Sequence, residues 1–365
     1  MKLPFYVKAT IFIVGFFALF TILDIGQSII VPLIFAMIIA IVLQPVVDFF
    51  VRIKINRVVA IALALFLTVM IIAAFAALVI WQGSRFAESW PTLADKFNEL
   101  LNQTITAASG YFDIDAQKIH AWISKAQGEI INTSTAAIGQ TLVILSSGLV
   151  VLFLLPVYVF LILFYQPILL EFIHRCFDPT DQGQVSKIVT RIKTVIQSYI
   201  IGLVIEAVMV ATLDAVVLLI LGIDYALLIG IIGGLLNIIP YVGGLVAVAL
   251  PIMVALVTKS SHWYVLYVLV GYYFIQLVDN NYIVPKIVAS KVKINALFAI
   301  IVVIAGNALW GIPGMFLSLP LLAIVKVICD HIEPAKPWGF LLGDTMPSIL
   351  AIKPIFRKIV KKSSG

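Results

Sequence analysis

Six apolar stretches of this chain are long enough to act as membrane-spanning helices, and they limit its fold more than any other feature. They run over residues 9–25, 29–50, 58–81, 142–164, 195–221 and 263–278. Crossing the hydrocarbon core takes about 20 apolar residues. Of the 365 residues, 62% are hydrophobic and 12% are charged, and that charged fraction is about half of the soluble average. The sequence therefore predicts an all-α polytopic membrane protein, with residues 1–83 forming the first three spans.

A polar insertion separates the third and fourth spans at residues 84–140. Its apolar residues Phe97, Leu100, Leu101 and Ile105 recur at helical spacing, which predicts short amphipathic helices. We expect a small helical extracytoplasmic insertion, and two interpretations stay open. It is either a packing or oligomerisation cap or a domain that captures a ligand.

Two later windows, residues 225–258 and 295–328, are rich in glycine and each contain an Ile-Pro step. Each window exceeds 30 residues, and a straight helix of that length would reach about 50 Å across a core of about 30 Å. We therefore predict two Gly/Pro-broken hairpins beside about six full spans, within a transport core at residues 141–330. Arms of about 14 to 18 residues suit re-entrant helices better than full spans.

The distribution of basic residues favours the hairpins over two long single helices. With hairpins, most of the 24 Lys and Arg residues, including Lys286, Lys291 and Lys293, fall on the side of the N-terminus. Positive residues concentrate on the cytoplasmic side of membrane proteins. We therefore expect both termini, and the tail at residues 331–365, to be cytoplasmic.

Two acids lie within the fifth span, Glu206 near its middle and Asp214 two turns further along. An acid at membrane depth costs about 2.5 to 3.5 kcal/mol, so it must be protonated, paired or in contact with water. Both are candidates for carrying a coupling ion, either H⁺ or Na⁺. The alternative is a protonated acid hydrogen-bonded within the bundle.

A polar cluster ends the sixth span and adds Asp279 to the ion-coupling candidates. Asp279 would either bind an ion or solute, or pair with Lys286 at the membrane surface. Polar and helix-breaking residues here and at the hairpin tips are candidates for a solute path, with capping of the broken helices as the alternative. The solute-path candidates are Asn237, Pro240, Tyr241, Gly243, Gln276, Asn280, Asn281, Asn307 and Pro313.

The sequence carries none of the motifs that we would expect of an enzyme or a metalloprotein. Its 2 cysteines and 4 histidines lack metal-ligand spacing, and its glycine-rich window lacks the phosphate-loop patterns. We therefore predict a protein that is not an enzyme, with no cofactor, no metal site and no nucleic-acid partner.

Three ordered motifs resemble the autoinducer-2 exporter family of permease-like bacterial membrane transporters. They read GIIGGLLNIIPYVGG at residues 230–244, QLVDNNYIVPKI at residues 276–287 and ALWGIPGMFLSLPLLAIVK at residues 308–326. The resemblance implies a bacterial inner-membrane protein, commonly counted as eight transmembrane segments. It also implies a homo-oligomer, with a pentamer as the expected size. Branches of the family are similar to exporters of autoinducer-2 or to Na⁺(Li⁺)/H⁺ antiporters.

Three functional hypotheses follow. The first is a secondary-active transporter that exports a small polar solute, with autoinducer-2 as a candidate, coupled to an ion gradient. The second is a Na⁺(Li⁺)/H⁺ antiporter that uses the same residues. The third is a non-transporting membrane scaffold, which would lose function on deletion of residues 97–122 but tolerate polar replacements in the hairpins.

Overall fold

The computed structural model describes residues 4–112, 153–178, 181–238, 244, 247–259, 261, 263–289 and 294–344. These residues are almost entirely helical, and among them an isolated bridge between Ile294 and Gly343 is the only strand-like pairing. Six helices of the described chain are long and apolar enough to cross a membrane. Five overlap predicted spans, and the sixth is Ala296–His331, whereas the predicted span at residues 263–278 forms a helix of 16 residues that is shorter than these six. The predicted all-α polytopic class is therefore confirmed.

The first half of the chain forms four long helices. They are α1 (Phe5–Ile25), α2 (Gln27–Arg52), α3 (Arg57–Phe112) and α4 (Phe153–Arg175). Gly26 alone separates α1 from α2. Its backbone N–H donates to the Ile22 carbonyl, and its own carbonyl accepts a hydrogen bond from the Ile30 N–H. The two helices therefore meet end to end.

Helix α3 differs from the sequence-based expectation because it continues well past the third span. It is a single helix of 56 residues, where the sequence predicted short separate helices after residue 81. Its polar half contains several Ala and Leu residues, together with Glu88 and Glu99, and these strong helix formers extend a helix that is already nucleated. The rest of the insertion lies outside the described residues.

The second half contains one long helix followed by shorter and broken ones. They are α5 (Gln182–Ile220), α6 (Ala226–Asn237), α7 (Ala249–Thr258), α8 (Trp263–Val278), a π-helix (Asp279–Ala289) that continues α8, α9 (Ala296–His331) and α10 (Lys336–Leu342). Helix α5 starts 13 residues before the predicted span.

One end of the bundle carries the basic turn between α2 and α3, and we call it the basic end. There the Arg57 guanidinium donates to the Leu163 carbonyl at 3.0 Å and to Gln166 Oε1 at 3.1 Å. Buried Ala40, Ile61 and Val159 join α2, α3 and α4 in one apolar cluster. Helix α4 runs antiparallel to α3 and continues past this turn, and α5 begins seven residues after α4 ends, so α5 also starts at the basic end.

The first hairpin, α6 and α7, enters from the opposite end, which we call the far end. Helix α5 finishes there, and Gly222 lies close enough to Lys259 that a Cβ on the glycine would be 3.5 Å from Nζ. At the start of α6, Ala226 packs in the same buried cluster as Val254 and Ala255 of α7. Both arms therefore have their bases at the far end.

The second hairpin lies within α9, where Trp310 and Gly311 leave helical geometry and Gly311 takes a φ of 61°. Eight residues of straight helix would separate Gly306 from Gly314 by about 12 Å. Instead, the two glycine backbones touch, since a Cβ on either one would overlap the other's carbonyl. The chain therefore reverses at Trp310–Gly311.

The base of this second hairpin lies at the basic end. The Asn295 amide donates to the Leu342 carbonyl at 2.9 Å, and the Gln184 side chain of α5 donates to the His331 carbonyl. Ile294 packs against buried Val327. The two hairpins therefore enter the bundle from opposite ends, which is the arrangement of inverted repeats in transporters.

Two further contacts tie distant elements together near the far end. The Tyr225 hydroxyl before α6 donates to Ser89 Oγ of α3 at 2.6 Å, and its ring stacks edge-on against Phe86. The Trp310 indole at the second reversal donates to the Leu23 carbonyl of α1 at 3.0 Å. Each hairpin is thus anchored to a long helix from the first half of the chain.

Replacing Trp310 by phenylalanine is expected to lower stability by about 1 kcal/mol or more, because the hydrogen bond to Leu23 is lost and the smaller ring gives up part of the packing of the indole. Thermal unfolding of the detergent-purified protein measures the change. Trp263→Phe is the matched control, because Trp263 is 63% exposed at the start of α8. Equal melting temperatures for the two variants would contradict a tethering role for Trp310.

Candidate functional site

Close packing of α6 on α5 builds one side of the site. A Cβ on Gly230 would overlap Ala211 and Ala215, and a Cβ on Gly234 would overlap Ala207 and Ala211. The small-xxx-small spacing of these glycines lets two backbones approach closely. Because later residues of α6 meet earlier residues of α5, the helices are antiparallel, and the end of α6 lies beside the middle of α5.

Asn237, the last residue of α6, joins two buried acids from different elements. Its amide nitrogen donates to Glu206 Oε1 of α5 at 3.3 Å and to Asp279 Oδ2 at 3.0 Å. Glu206 is 6% exposed and Asp279 is 2% exposed. An asparagine amide has two N–H donors, so this side chain can serve both carboxyl groups at once.

Gln276 adds a second amide to this group. It lies on α8, and its Nε2 is 3.5 Å from Asp279 Oδ2, at the outer limit of a hydrogen bond. Gly244, from the segment between α6 and α7, lies against the same amide, because a Cβ there would overlap the Gln276 side chain. We call Glu206, Asn237, Gln276 and Asp279 the amide–acid cluster.

Asp214 lies outside this cluster, eight residues further along α5 and toward the far end. It is 2% exposed, and a Cβ on Gly233 of α6 would overlap its Oδ2. Its Oδ1 has no hydrogen-bond partner among the described residues. Gly233 lies one turn before Asn237 on α6, so the three acids that these two residues contact share one region of the core.

The remaining predicted residues are placed elsewhere or are not described. Asn280 and Asn281 are exposed, and the Asn281 amide donates to the Leu277 carbonyl of its own helix at 2.8 Å. Asn307 and Pro313 are exposed on α9, and no hydrogen bond within the described chain ties them to the amide–acid cluster. Pro240, Tyr241 and Gly243 lie outside the described residues.

Lys286, the alternative partner considered for Asp279, makes a different contact. Its ammonium lies 4.1 Å from the centroid of the Tyr282 ring, one turn earlier in the π-helix. This is a cation–π distance, and Lys286 is exposed.

Two buried tyrosines near the acids are absent from the sequence-based site. Tyr199 is 5% exposed and lies seven residues before Glu206, on the same face of α5, while Tyr272 is 8% exposed on α8. The spacing of Tyr272, Gln276 and Asp279, four and then three residues, puts them on one helical face. That periodicity was the available signal for Tyr272.

The cluster has the chemistry of a site that takes up a small cation. Its carboxyl oxygens accept a proton or bind Na⁺, and its amides adapt to either state by donating or accepting. Asp279 Oδ1 is buried and has no hydrogen-bond partner within the described chain, so it retains acceptor capacity. A shift in the position of Asn237 changes the surroundings of both acids together.

Buried acids bonded to the end of a short hairpin helix, within a bundle of long apolar helices, are typical of a multi-pass membrane protein of the transporter class. The family model for AI-2E family transporters matches residues 10–333, which is most of the chain. The chain belongs to this family of permease-like transporters.

Three curated relatives are similar to it. The AI-2 transport protein TqsA of Escherichia coli K12 is 28% identical over 338 residues, covering 87% of this chain and 90% of the relative. The putative permease PerM of the same organism is 26% identical over 276 residues, covering 74% and 77%. The putative transport protein YrrI of Bacillus subtilis is 28% identical over 133 residues, covering 36% and 37%. All three names describe transport, which points away from an enzyme.

Proposed function

We propose that this protein is a secondary-active transporter that exports a small polar solute in exchange for, or together with, H⁺ or Na⁺. The observation that carries the proposal is the double hydrogen bond from Asn237 to Glu206 and Asp279. It links the tip of the first hairpin to two acids that lie on separate elements.

The coupling follows from the chemistry of that link. When a cation or proton neutralises Glu206 or Asp279, the hydrogen bonds that Asn237 makes to the pair change in strength and direction. A ligand shifts a conformational equilibrium only when its affinity differs between the two states. Because Asn237 is the last residue of α6, cation or proton binding to the acids favours one position of the end of α6 over another. This shift couples ion binding to opening of the solute path.

Autoinducer-2 is the first solute to test. The E. coli relative TqsA is named as an AI-2 transport protein and is similar over most of both chains. Amides at the cluster suit a small hydroxylated solute, because they offer both donors and acceptors. Export rather than uptake is part of the proposal.

Cation/proton antiport is the second candidate, and the free Asp279 Oδ1 favours it. Oxygen atoms are the ligands that hard monovalent and divalent cations prefer. In this case Na⁺ or Li⁺ would compete with protons for the acid pair, and no organic solute would be needed.

Flux in proteoliposomes tests both candidates. Solute export driven by an imposed H⁺ or Na⁺ gradient supports the first, and Na⁺-dependent proton movement without solute supports the second.

Glu206→Gln is expected to reduce ion-coupled flux about tenfold or more, because one ionisable side chain of the cluster is removed while its size is kept. Asp224→Asn is the matched control, since Asp224 is exposed beyond the end of α5. Wild-type flux in the Glu206→Gln protein would reject the mechanism.

Location, orientation and assembly complete the proposal. The basic end faces the cytoplasm of a bacterial inner membrane, because positive residues concentrate on that side. The N- and C-termini are cytoplasmic, and the protein works as a homo-oligomer, for which the family resemblance suggests a pentamer. Labelling of single cysteines placed in the α2–α3 turn tests the orientation. Reaction with an impermeant reagent outside the cell would show that the basic end faces outward and would contradict the proposal.

A further inference from the structure

Three buried side-chain polar atoms of the described chain lack a hydrogen-bond partner, and all belong to one region. They are Asp214 Oδ1, Tyr272 OH and Asp279 Oδ1. Buried polar atoms in folded proteins are nearly always paired, because leaving one unpaired is costly. Asp279 belongs to the amide–acid cluster, but Asp214 and Tyr272 do not.

Asp214 and Tyr272 lie on different helices, in the same region of the core. Asp214 is on α5 and 2% exposed, and Tyr272 is on α8 and 8% exposed. The two helices touch beside them, because a Cβ on Gly271 would overlap Val217, three residues after Asp214. Around them the core is apolar: Leu218, one turn beyond Asp214, packs in the same buried cluster as Tyr272. An acid kept in such surroundings needs a reason beyond packing.

Gly233 leaves the space in which Asp214 sits. A Cβ at this position would overlap the Asp214 Oδ2 atom, so every larger residue would displace the carboxyl group. Gly233 is four residues before Asn237, on the same face of α6. Helix α6 thus presents an amide to Glu206 and bare backbone to Asp214.

We propose that Asp214 and Tyr272 form a second binding station for the coupling cation, separate from the amide–acid cluster. The station would take H⁺ or Na⁺, since both need a free carboxyl oxygen and both are stabilised by a neighbouring phenol oxygen. No covalent bond other than that of the titrating proton changes. This inference rests on the proposed function, because a coupling ion must exist for a station to hold it.

The station lies on the route from the far end to the cluster. Asp214 is six residues from the end of α5, about 9 Å along its axis, and Glu206 is a further eight residues, about 12 Å, inward. One turn of α6, from Gly233 beside Asp214 to Asn237 beside Glu206, connects the two positions. A cation that enters from the far end meets Asp214 first.

Equilibrium binding to the purified protein tests the station directly. Titration with Na⁺, followed by radioactive sodium and by a pH dye, gives the number of sodium ions bound and protons released per chain. We expect two sodium ions, or two exchangeable protons, in the wild type. Asp214→Asn is expected to lose one and keep the other, and Glu206→Gln is expected to lose the other.

Tyr272→Phe tests the phenol without a change of charge or size. We expect about a threefold to tenfold weaker affinity at the outer station, which is the range of one lost ligand or hydrogen bond. Tyr273→Phe and Asp224→Asn are matched controls, because Tyr273 is the exposed neighbour of Tyr272 and Asp224 is an exposed acid beyond the end of α5. They should bind as the wild type does.

The outcomes separate the two proposals. If Asp214→Asn and Tyr272→Phe bind the same number of ions with wild-type affinity while Glu206→Gln loses one, the second station is overturned and the proposed function stands. If Glu206→Gln also binds and transports as the wild type does, the proposed function fails. Should Asp214→Asn not fold, unchanged affinity in Tyr272→Phe alone overturns the station.

Discussion

Replacing Asn237 by leucine is expected to reduce ion-coupled transport about a hundredfold, to the background of empty vesicles. Leucine has a similar volume but leaves Glu206 and Asp279 without their shared donor. An unsatisfied buried polar group costs about 1–3 kcal/mol, and each 1.4 kcal/mol is about tenfold in an equilibrium. Initial rates of solute export under an imposed ion gradient measure the loss.

Asn281→Leu is the matched control for this experiment. Asn281 is exposed and bonds with the Leu277 carbonyl of its own helix, so its loss should leave transport close to wild type. Thermal unfolding of both variants separates a broken site from a broken fold. Full transport by the Asn237→Leu protein would contradict the role of the amide as the link between the acids.

Replacing Gly314 by leucine is expected to stop the second hairpin from closing and to lower stability by about 3 kcal/mol or more. Overpacking in a filled core costs about 1–3 kcal/mol when side chains can yield. Here the new atoms would overlap the Gly306 backbone, which has less freedom to move. We expect a lower yield of monodisperse protein and a much lower melting temperature.

Gly83→Leu is the control for Gly314→Leu, because nothing in the described chain lies within 4 Å of a Cβ on Gly83. Both changes replace a helical glycine by the same side chain, so only the neighbourhood differs. Equal melting temperatures would mean that the arms of the second hairpin do not touch. Gly306→Leu should repeat the effect of Gly314→Leu from the other side of the same contact.

The sequence predicted the fold class and the approximate position of most of the long helices. Long apolar runs predicted spans, and glycine with proline predicted where the chain turns back. The second reversal falls at Trp310–Gly311, just before the predicted Ile312-Pro313 step, because Gly311 supplies the positive φ that the turn needs. The length of α3 was harder to predict, since a polar helix former does not show where a helix leaves the membrane.

The sequence predicted the site only in part, because the side chains of the amide–acid cluster lie on α5, on α6 and on α8 with its π-helical continuation. Glu206, Asp279 and Asn237 each stood out alone, as polar residues in apolar surroundings. That one amide joins both acids depends on how α6 packs against α5 and on the position of α8, and residue spacing contains no such information. The sequence did not predict Tyr272, because aromatic residues are common in membrane helices. Its position becomes relevant only in the structure, which places it in the same region as Asp214.

Helix α3 measures about 84 Å from end to end at 1.5 Å per residue, nearly three times the thickness of the hydrocarbon core. Ser89 lies past the middle of this helix, and its hydrogen bond with Tyr225 joins α3 to the residue that precedes α6. Helix α6 is therefore held at both ends, by the α3 hydroxyl that Tyr225 contacts before its first turn and by the two buried acids that Asn237 contacts at its last residue. A rigid shift of this helix would have to release both contacts together.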